Sequence, residues 1–287
     1  MVSSYAARRE QLRAWASHDA SVYRSFSETV RRITQRPVES LRVLDLGCGS
    51  NAPMTLLLHA AGCRVTGVDA VVGHRWGLGI RPSRYAAYIR EAGPVRTLRK
   101  LAGELVFDRV YYRTLSEEAG LRLSERGLDL RSMDVQNPQL PEKTFDVIHS
   151  NATWEHVKDV EAANRTLAGA LRPGGIAYIE IHLFPSLSGG HDLPWITPGR
   201  TVLGDVSPWQ HLRDPDWKAP VYLNRLRERD YRRAFEETEG LSIREWRMEF
   251  TEGVELLTPE IRQELGDYTT EELTKRSIIV VVQRNTC

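Results

Sequence analysis

The chain has 287 residues, of which 41% are hydrophobic, enough apolar material for a sizeable core. Lys and Arg number 39 against 38 Asp and Glu, a formal charge of +1, so no strong field favours nucleic acid or an anionic membrane. No apolar run approaches the ~20 residues that span a bilayer, the N-terminus lacks the apolar centre of a signal peptide, and Cys48, Cys63 and Cys287 show neither metal spacing nor a disulfide framework; the expectation is a cytoplasmic protein with reduced thiols.

Residues 1–40 read as helical, because Val22, Phe26, Val30 and Ile33 recur at helical spacing. Trp15, His18 and Tyr23 lie among them, and two readings stay open: an N-terminal packing cap, or a lid over a ligand. Leu41, Val43, Leu44 and Leu46 then read as a short buried strand. Gly47 and Gly49 let the backbone turn sharply and come close to a ligand, since neither has a Cβ. Asn51-Ala-Pro-Met-Thr-Leu opens a helix, with Pro53 in the first turn where a missing N–H costs little. Strand, glycine turn and helix N-terminus make a nucleotide-type site in an α/β sheet, though many α/β turns contain a bare glycine pair.

Cys63-Arg-Val-Thr-Gly-Val-Asp-Ala reads as a second strand ending in Asp69, which follows Gly49 by 20 residues. That is the distance at which an acidic residue meets a ribose diol; a plain turn residue is the alternative. Residues 74–127 are too long for a simple crossover and read as a helical insertion. Gly93-Pro94 breaks what would otherwise be a pair of helices. Trp76, Tyr85, Tyr88, Tyr111 and Tyr112 stand there among arginines, either as an outer layer or as an aromatic and cationic wall beside a site.

Leu128 onward resumes the sheet as a third strand, with Asp134 just past its end, and Thr144–Asn151 is a fourth. A helix is expected from Trp154, closing at Arg172-Pro-Gly-Gly. Ile176–Phe184 is a fifth strand, apolar on both faces and therefore central. Residues 184–220 hold Gly189-Gly190-His191-Asp192 and three tryptophans, Trp195, Trp209 and Trp217; a loop so long in a compact domain is usually functional or disordered, and the tryptophans argue against disorder. A charged amphipathic helix is expected over Leu223–Glu239, anchored by Leu226 and Phe235. Leu241–Phe250 and Ser277–Gln283 read as two last strands. Between them, Thr258-Pro259 starts one short helix and the capping box Thr269-x-x-Glu272 another.

Taken together, Asp45-Leu-Gly-Cys-Gly, Gly67-Val-Asp69, Met133-Asp134-Val and Phe145–Asn151 with Glu155-His-Val and Leu171-Arg-Pro-Gly-Gly resemble a class I S-adenosylmethionine-dependent methyltransferase. The resemblance covers residues 41–183, and the last two strands match the family's closing antiparallel hairpin. It implies an α/β, Rossmann-like, seven-stranded methyltransferase sheet with helices on both faces. The chain then reads as a single domain over 1–287, comprising a 1–40 helical cap, a 74–127 helical insertion and a 184–220 substrate loop.

The resemblance further implies that S-adenosyl-L-methionine is the cofactor, with Asp45 in the glycine-turn motif and Gly47, Cys48 and Gly49 facing its methionine end. Asp69 would hold the ribose hydroxyls and Ala70 touch the adenine; Asp134 with the Val135 amide would read the adenine edge. Ser150 and Asn151 would border the sulfonium and the acceptor. Asn51 stands where a third glycine is common, and either bonds the cofactor carboxylate or caps the helix.

Phe184-Pro-Ser-Leu-Ser-Gly-Gly-His, Tyr222-Leu-Asn-Arg-Leu-x-x-x-Asp-Tyr-Arg-x-x-Phe and Leu257-Thr-Pro-Glu-Ile also look like methyltransferases encoded among glycan-biosynthesis genes. They imply O-methylation of a sugar hydroxyl, with loop aromatics stacking on the sugar face. A hydroxyl gains from a general base, worth typically ~10²–10⁴ in rate. The candidates are His191 first, then His182 and His156, while His149 reads as a packed strand residue. Asp192 and Glu180 are acids a divalent cation could use, but no tight acidic cluster appears and no metal is expected.

Other readings are a methyltransferase for phenols or amines, a nicotinamide-dependent oxidoreductase, a nucleic-acid methyltransferase and a non-catalytic cofactor-binding module. The absent third glycine disfavours the oxidoreductase. Base-amine enzymes usually carry Asn/Asp-Pro-Pro-aromatic after the fourth strand, where this chain has Ser150-Asn-Ala-Thr-Trp, and near-neutral charge argues against a phosphate footprint.

Overall fold

A computed structural model describes residues 2–70, 109–134, 139–192, 195 and 206–286. The described strands are β1 (Arg42–Leu46), β2 (Arg64–Asp69), β3 (Asp129–Ser132), β4 (Phe145–Asn151), β5 (Leu171–His182), β6 (Leu241–Thr251) and β7 (Lys275–Arg284). They form the expected seven-stranded α/β sheet, in the order β3-β2-β1-β4-β5-β7-β6. The pairs β1–β4, β4–β5 and β2–β3 are parallel, while β7 runs antiparallel to both β5 and β6. Two compact units can be described separately: Met1–Ser40 with Cys48–Ser132, and Leu41–Gly47 with Met133–Cys287.

In the first unit, one continuous helix α1 (Val2–Thr34) accounts for most of residues 1–40. It buries Val22, Phe26 and Val30, as their spacing requires, and packs on α2 (Pro53–Ala60). Pro53 opens α2, but the capping residue is Ala52, left-handed at φ +41° with no side-chain bond, so Asn51 does not cap the helix. α2 lies tight on β2: a Cβ on Gly67 would stand 2.6 Å from both Thr55 Oγ1 and Leu130 Cδ2. Residues 109–119 form α3. Its Tyr111 hydroxyl donates to the Asp19 carboxylate of α1, and Arg24 donates to the Glu118 carbonyl at 2.8 Å. Tyr111 is buried and Tyr112 packs edge-on against it. Trp76, Tyr85, Tyr88 and Gly93-Pro94 lie outside the described residues, as does Val135.

The second unit departs from expectation at three boundaries. The helix expected from Trp154 is split: Trp154–His156 is a single 3₁₀ turn, and α4 (Val160–Ala170) begins only where Asp159 accepts the Ala162 amide at 2.8 Å. The Pro-Gly-Gly does not close α4. The helix stops at Ala170, and the Arg284 guanidinium donates to the carbonyls of Ala168, Gly169 and Leu171, satisfying groups the helix end leaves open. Pro173-Gly174-Gly175 instead bulges the start of β5, where the register against β4 jumps from Leu171 to Ile176. Finally, α6 spans only Glu228–Glu236, and residues 223–227 before it are not helical. Tyr231 and Phe235 bury its inner face, and α6 packs on α4 and β6.

Among the described residues of the 184–220 segment, apolar side chains pack on the rest of the unit. Trp209 precedes the short α5 (Gln210–Arg213), is fully buried, and donates its indole N–H to the Leu273 carbonyl at 3.0 Å. It shares a core with Leu187, Leu265 and Leu273, against which Leu257 and Ile261 also pack. Trp209 is therefore core and cannot stack on a ligand. α7 (Pro259–Glu264) and α8 (Thr270–Thr274) start at the expected caps, Thr258 and the Thr269–Glu272 box.

Candidate functional site

In the first unit, the glycine turn and the end of β2 meet directly. The Cys48 amide donates to the Val68 carbonyl at 3.0 Å, and the Gly49 amide donates to the Asp69 carboxylate at 2.9 Å. Gly49 has φ +69°, and among the described residues, its chain neighbours aside, no atom lies within 4 Å of where its Cβ would be. The glycine is needed there for its backbone and leaves an open face on the turn. Cys48 is buried, Asp69 half-buried, and Ala70 and Asn51 exposed. An acidic side chain beside an open glycine turn fits an adenosine-bearing cofactor.

In the second unit, Gly47 is glycine for two reasons: φ is +76°, and a Cβ would stand 2.1 Å from Thr153 Oγ1. Thr153 thus packs the segment after β4 against Gly47. Asp45 and His149, opposite one another in β1 and β4, are both buried and share a 2.8 Å bond between Oδ1 and Nδ1. His149 is accordingly a packed strand residue, and the Asp45 carboxylate faces it. Ser150 is fully buried and donates to the Leu46 carbonyl at 2.7 Å, so its hydroxyl is engaged inside the sheet. Asn151, half-buried, ends the strand, and Asp134 is exposed beyond β3.

The three histidines named as base candidates come together after the C-terminal ends of β4 and β5, where ligands sit in open α/β sheets. The His191 ring lies 4.9 Å from the rings of both His156 and His182. Glu155 joins them, with Oε1 4.0 Å from His191 Nε2. Glu155 is only 2% exposed, and neither carboxylate oxygen has a hydrogen-bond partner among the described residues. Burial pushes its pKa up to about 8, and nearby Glu180 adds to this; the Glu155 and His182 amides, close by but outside hydrogen-bonding geometry with the carboxylate, oppose it. Burial drives the histidines the other way. His182 falls well below the ordinary value, with His191 and Arg276 adding to the effect, and His191 falls to about 4, with His156 and Arg276 adding to it.

Two loops hold this cluster. Gly189-Gly190-His191 is packed too closely for side chains: a Cβ at Gly189 would stand 2.2 Å from the Phe184 carbonyl, and one at Gly190 would stand 2.7 Å from His211. His191 follows in the left-handed region, φ +59°, with its amide on the Ser188 carbonyl. His182 Nε2 bonds Ser188 Oγ at 2.8 Å, and Ser188 donates its hydroxyl and amide to Glu252 Oε1 at 2.7 Å each. On the other side, Asn224 clamps the 154–157 turn. Its Nδ2 donates to the carbonyls of Trp154 and Val157, its amide donates to the Glu155 carbonyl, and its Oδ1 accepts the Tyr231 hydroxyl at 2.8 Å. His156 Nδ1 donates to the Tyr222 carbonyl at 2.8 Å.

The acids considered for a cation are engaged elsewhere. Glu180 accepts from Ser277 at 2.9 Å, and Asp192 accepts the Trp217 indole N–H at 3.2 Å. In the sequence Glu155 figures only within the Glu155-His-Val motif and is given no role of its own. Its position beside His156 was visible, but its burial depends on contacts made by distant segments.

A family model described as a methyltransferase domain matches residues 15–250. The chain is similar to an uncharacterized methyltransferase of Mycobacterium bovis, 33% identical over 98 residues, which are 33% of this chain and 48% of the relative. It is also similar to a ubiquinone biosynthesis O-methyltransferase of Rhizobium rhizogenes, 31% identical over 144 residues, 50% of this chain and 42% of that one. The chain thus spans about half the length, or less, of the curated relatives it matches. Among solved structures, an S-adenosylmethionine-dependent methyltransferase of Mesorhizobium loti aligns over 90% of this chain and 96% of its own, at 20% identity and a TM-score of 0.48.

Proposed function

The chain belongs to the class I S-adenosylmethionine-dependent methyltransferases, and from that premise we propose that it methylates a hydroxyl oxygen of a small molecule. The observation that carries this reading is the cluster of His156, His182, His191 and Glu155 beyond β4 and β5. A sulfonium methyl is already activated, so an amine acceptor needs little more than positioning. A hydroxyl must also lose its proton, and this cluster is where one can go.

The acceptor oxygen forms the new bond to the methyl carbon, the carbon–sulfur bond breaks with its electron pair left on sulfur, and the hydroxyl proton passes to a histidine. Burial makes His191 and His182 weak acceptors, although His191 heads the sequence ranking. His156 is better placed. It is only half-buried, its Nδ1–H is fixed on Tyr222, and its Nε2 carries no hydrogen bond among the described residues. For the cofactor, Gly47, Cys48 and Gly49 are assigned to the methionine end, with Asp45 in the turn motif and Asn51, which does not cap the helix, on the cofactor carboxylate. Asp69 is assigned to the ribose, Ala70, Asp134 and Val135 to the adenine, and Ser150 and Asn151 to the sulfonium side.

A saccharide is the acceptor class we favour. Its support is the likeness of the 184–191, 222–235 and 257–261 segments to methyltransferases encoded among glycan-biosynthesis genes. The half-buried Trp217, beside Phe184 and Arg225, supplies an aromatic surface in place of Trp209. Similarity to a ubiquinone biosynthesis O-methyltransferase supports a second reading, a phenolic acceptor. Incubation with methyl-labelled S-adenosylmethionine and a panel of sugars, phenols and amines tests both. Label in sugars is expected; label in phenols alone would favour the second reading, and label in amines alone would overturn O-methylation.

A further inference from the structure

We propose that Glu155, His182 and His191 form a binding site for a divalent transition-metal ion of the zinc class. One donor atom from each lies within 4.8 Å of the others. Two imidazoles and a carboxylate suit zinc, or manganese and iron(II) in the same coordination chemistry. Magnesium and calcium prefer all-oxygen shells.

Three further observations point to a ligand. First, both oxygens of the buried Glu155 carboxyl lack a hydrogen-bond partner among the described residues. Buried polar atoms are normally satisfied, and a cation between Glu155 and the two rings would satisfy these.

Second, the state of His182 follows from its surroundings. A serine hydroxyl has one proton, and Ser188 gives its proton to Glu252, which as a carboxylate only accepts. Ser188 Oγ must therefore accept from His182 Nε2–H, which leaves the Nδ1 lone pair of the neutral ring available. A ligating histidine whose other nitrogen donates to an oriented hydroxyl–carboxylate pair is the usual outer support of a metal site.

Third, His191 is held at φ +59°, a costly backbone for a non-glycine residue, by a glycine pair with no room for side chains. The loop fixes this ring against Glu155 and His182.

Three protein ligands leave coordination positions open, as in catalytic rather than structural sites. His156 is not needed as a ligand and remains the free base; only this division of roles rests on the proposed O-methylation.

The test requires neither acceptor nor cofactor. The full chain is stripped with a chelator and titrated with Zn²⁺, or with Co²⁺ as a visible and paramagnetic probe. One ion per chain is expected, and Co²⁺ should perturb the ring resonances of His182 and His191 in the wild-type protein. Glu155→Gln and His191→Ala, shown folded by circular dichroism, should each weaken uptake about 100-fold or more, and Ser188→Ala about 10–100-fold. His59→Ala should bind as wild type. Absence of stoichiometric uptake by the folded wild-type chain, or undiminished uptake by the folded Glu155→Gln and His191→Ala variants, would overturn the proposal.

Discussion

Single side chains show how strongly burial redirects charge in this chain. Asp19 on α1 accepts the Tyr111 hydroxyl from α3, and burial, which outweighs that bond, raises its pKa to about 6. Its ordinary value is 3.8, so the folded chain binds this proton more tightly than the unfolded chain. The resulting stabilisation is full below pH 3.8 and is lost as pH rises through about 6. At ~1.4 kcal/mol per pKa unit this amounts to at most about 3 kcal/mol. Asp19→Asn should therefore be more stable than wild type at pH 7.5, by up to that amount, with the gap closing towards pH 4. Urea unfolding of both proteins at the two pH values measures it; a gap independent of pH would contradict the account.

At the scale of elements, the cluster is held by two short segments that contain little regular structure. The Tyr222–Phe235 motif places Asn224 beneath the 154–157 turn, with Tyr231 of α6 holding the Asn224 amide. Asn224→Ala removes these side-chain bonds and frees the turn that carries Glu155 and His156. We expect roughly 1–3 kcal/mol lower stability from the lost bonds. The larger effect should fall on turnover, by about 10- to 100-fold, since small misplacements of reacting groups are costly. Affinity for S-adenosylhomocysteine, measured by calorimetry, should change less than about threefold, because 1 kcal/mol is already a factor of about five. Equal losses in turnover and cofactor affinity would show that Asn224 supports the fold rather than the cluster.

These elements also show where the sequence is legible. β1, β2, β4 and the final hairpin follow from local pattern, because buried strands and glycine turns write themselves into adjacent residues. The helix expected from Trp154 fails because its first turn is diverted by Asn224, which lies about seventy residues later. Pro-Gly-Gly is ambiguous locally, since the same residues can end a helix or bulge a strand; only the β4 register decides. The three histidines are found by their position near strand ends, but the part Glu155 plays beside them is not, because its burial is a tertiary property. Trp209 reads as a ligand platform in sequence and is core in the fold, having found Leu187, Leu265 and Leu273.

For the whole molecule, the family fixes the methyl donor and leaves the acceptor to the residues beyond β4 and β5. No helix among the described residues is long and apolar enough to cross a membrane, and the net charge of +1 offers no field for a polyanion. The central claim is that the methyl group ends on oxygen, and the bond made in the product tests it most directly. With S-adenosylmethionine carrying a ¹³C-methyl group, NMR of the product identifies the atom to which the label is attached. An O-methyl ether is expected, with its formation sharply reduced in His156→Ala. A labelled methyl found only on nitrogen or carbon, or O-methylation undiminished by that substitution, would contradict it.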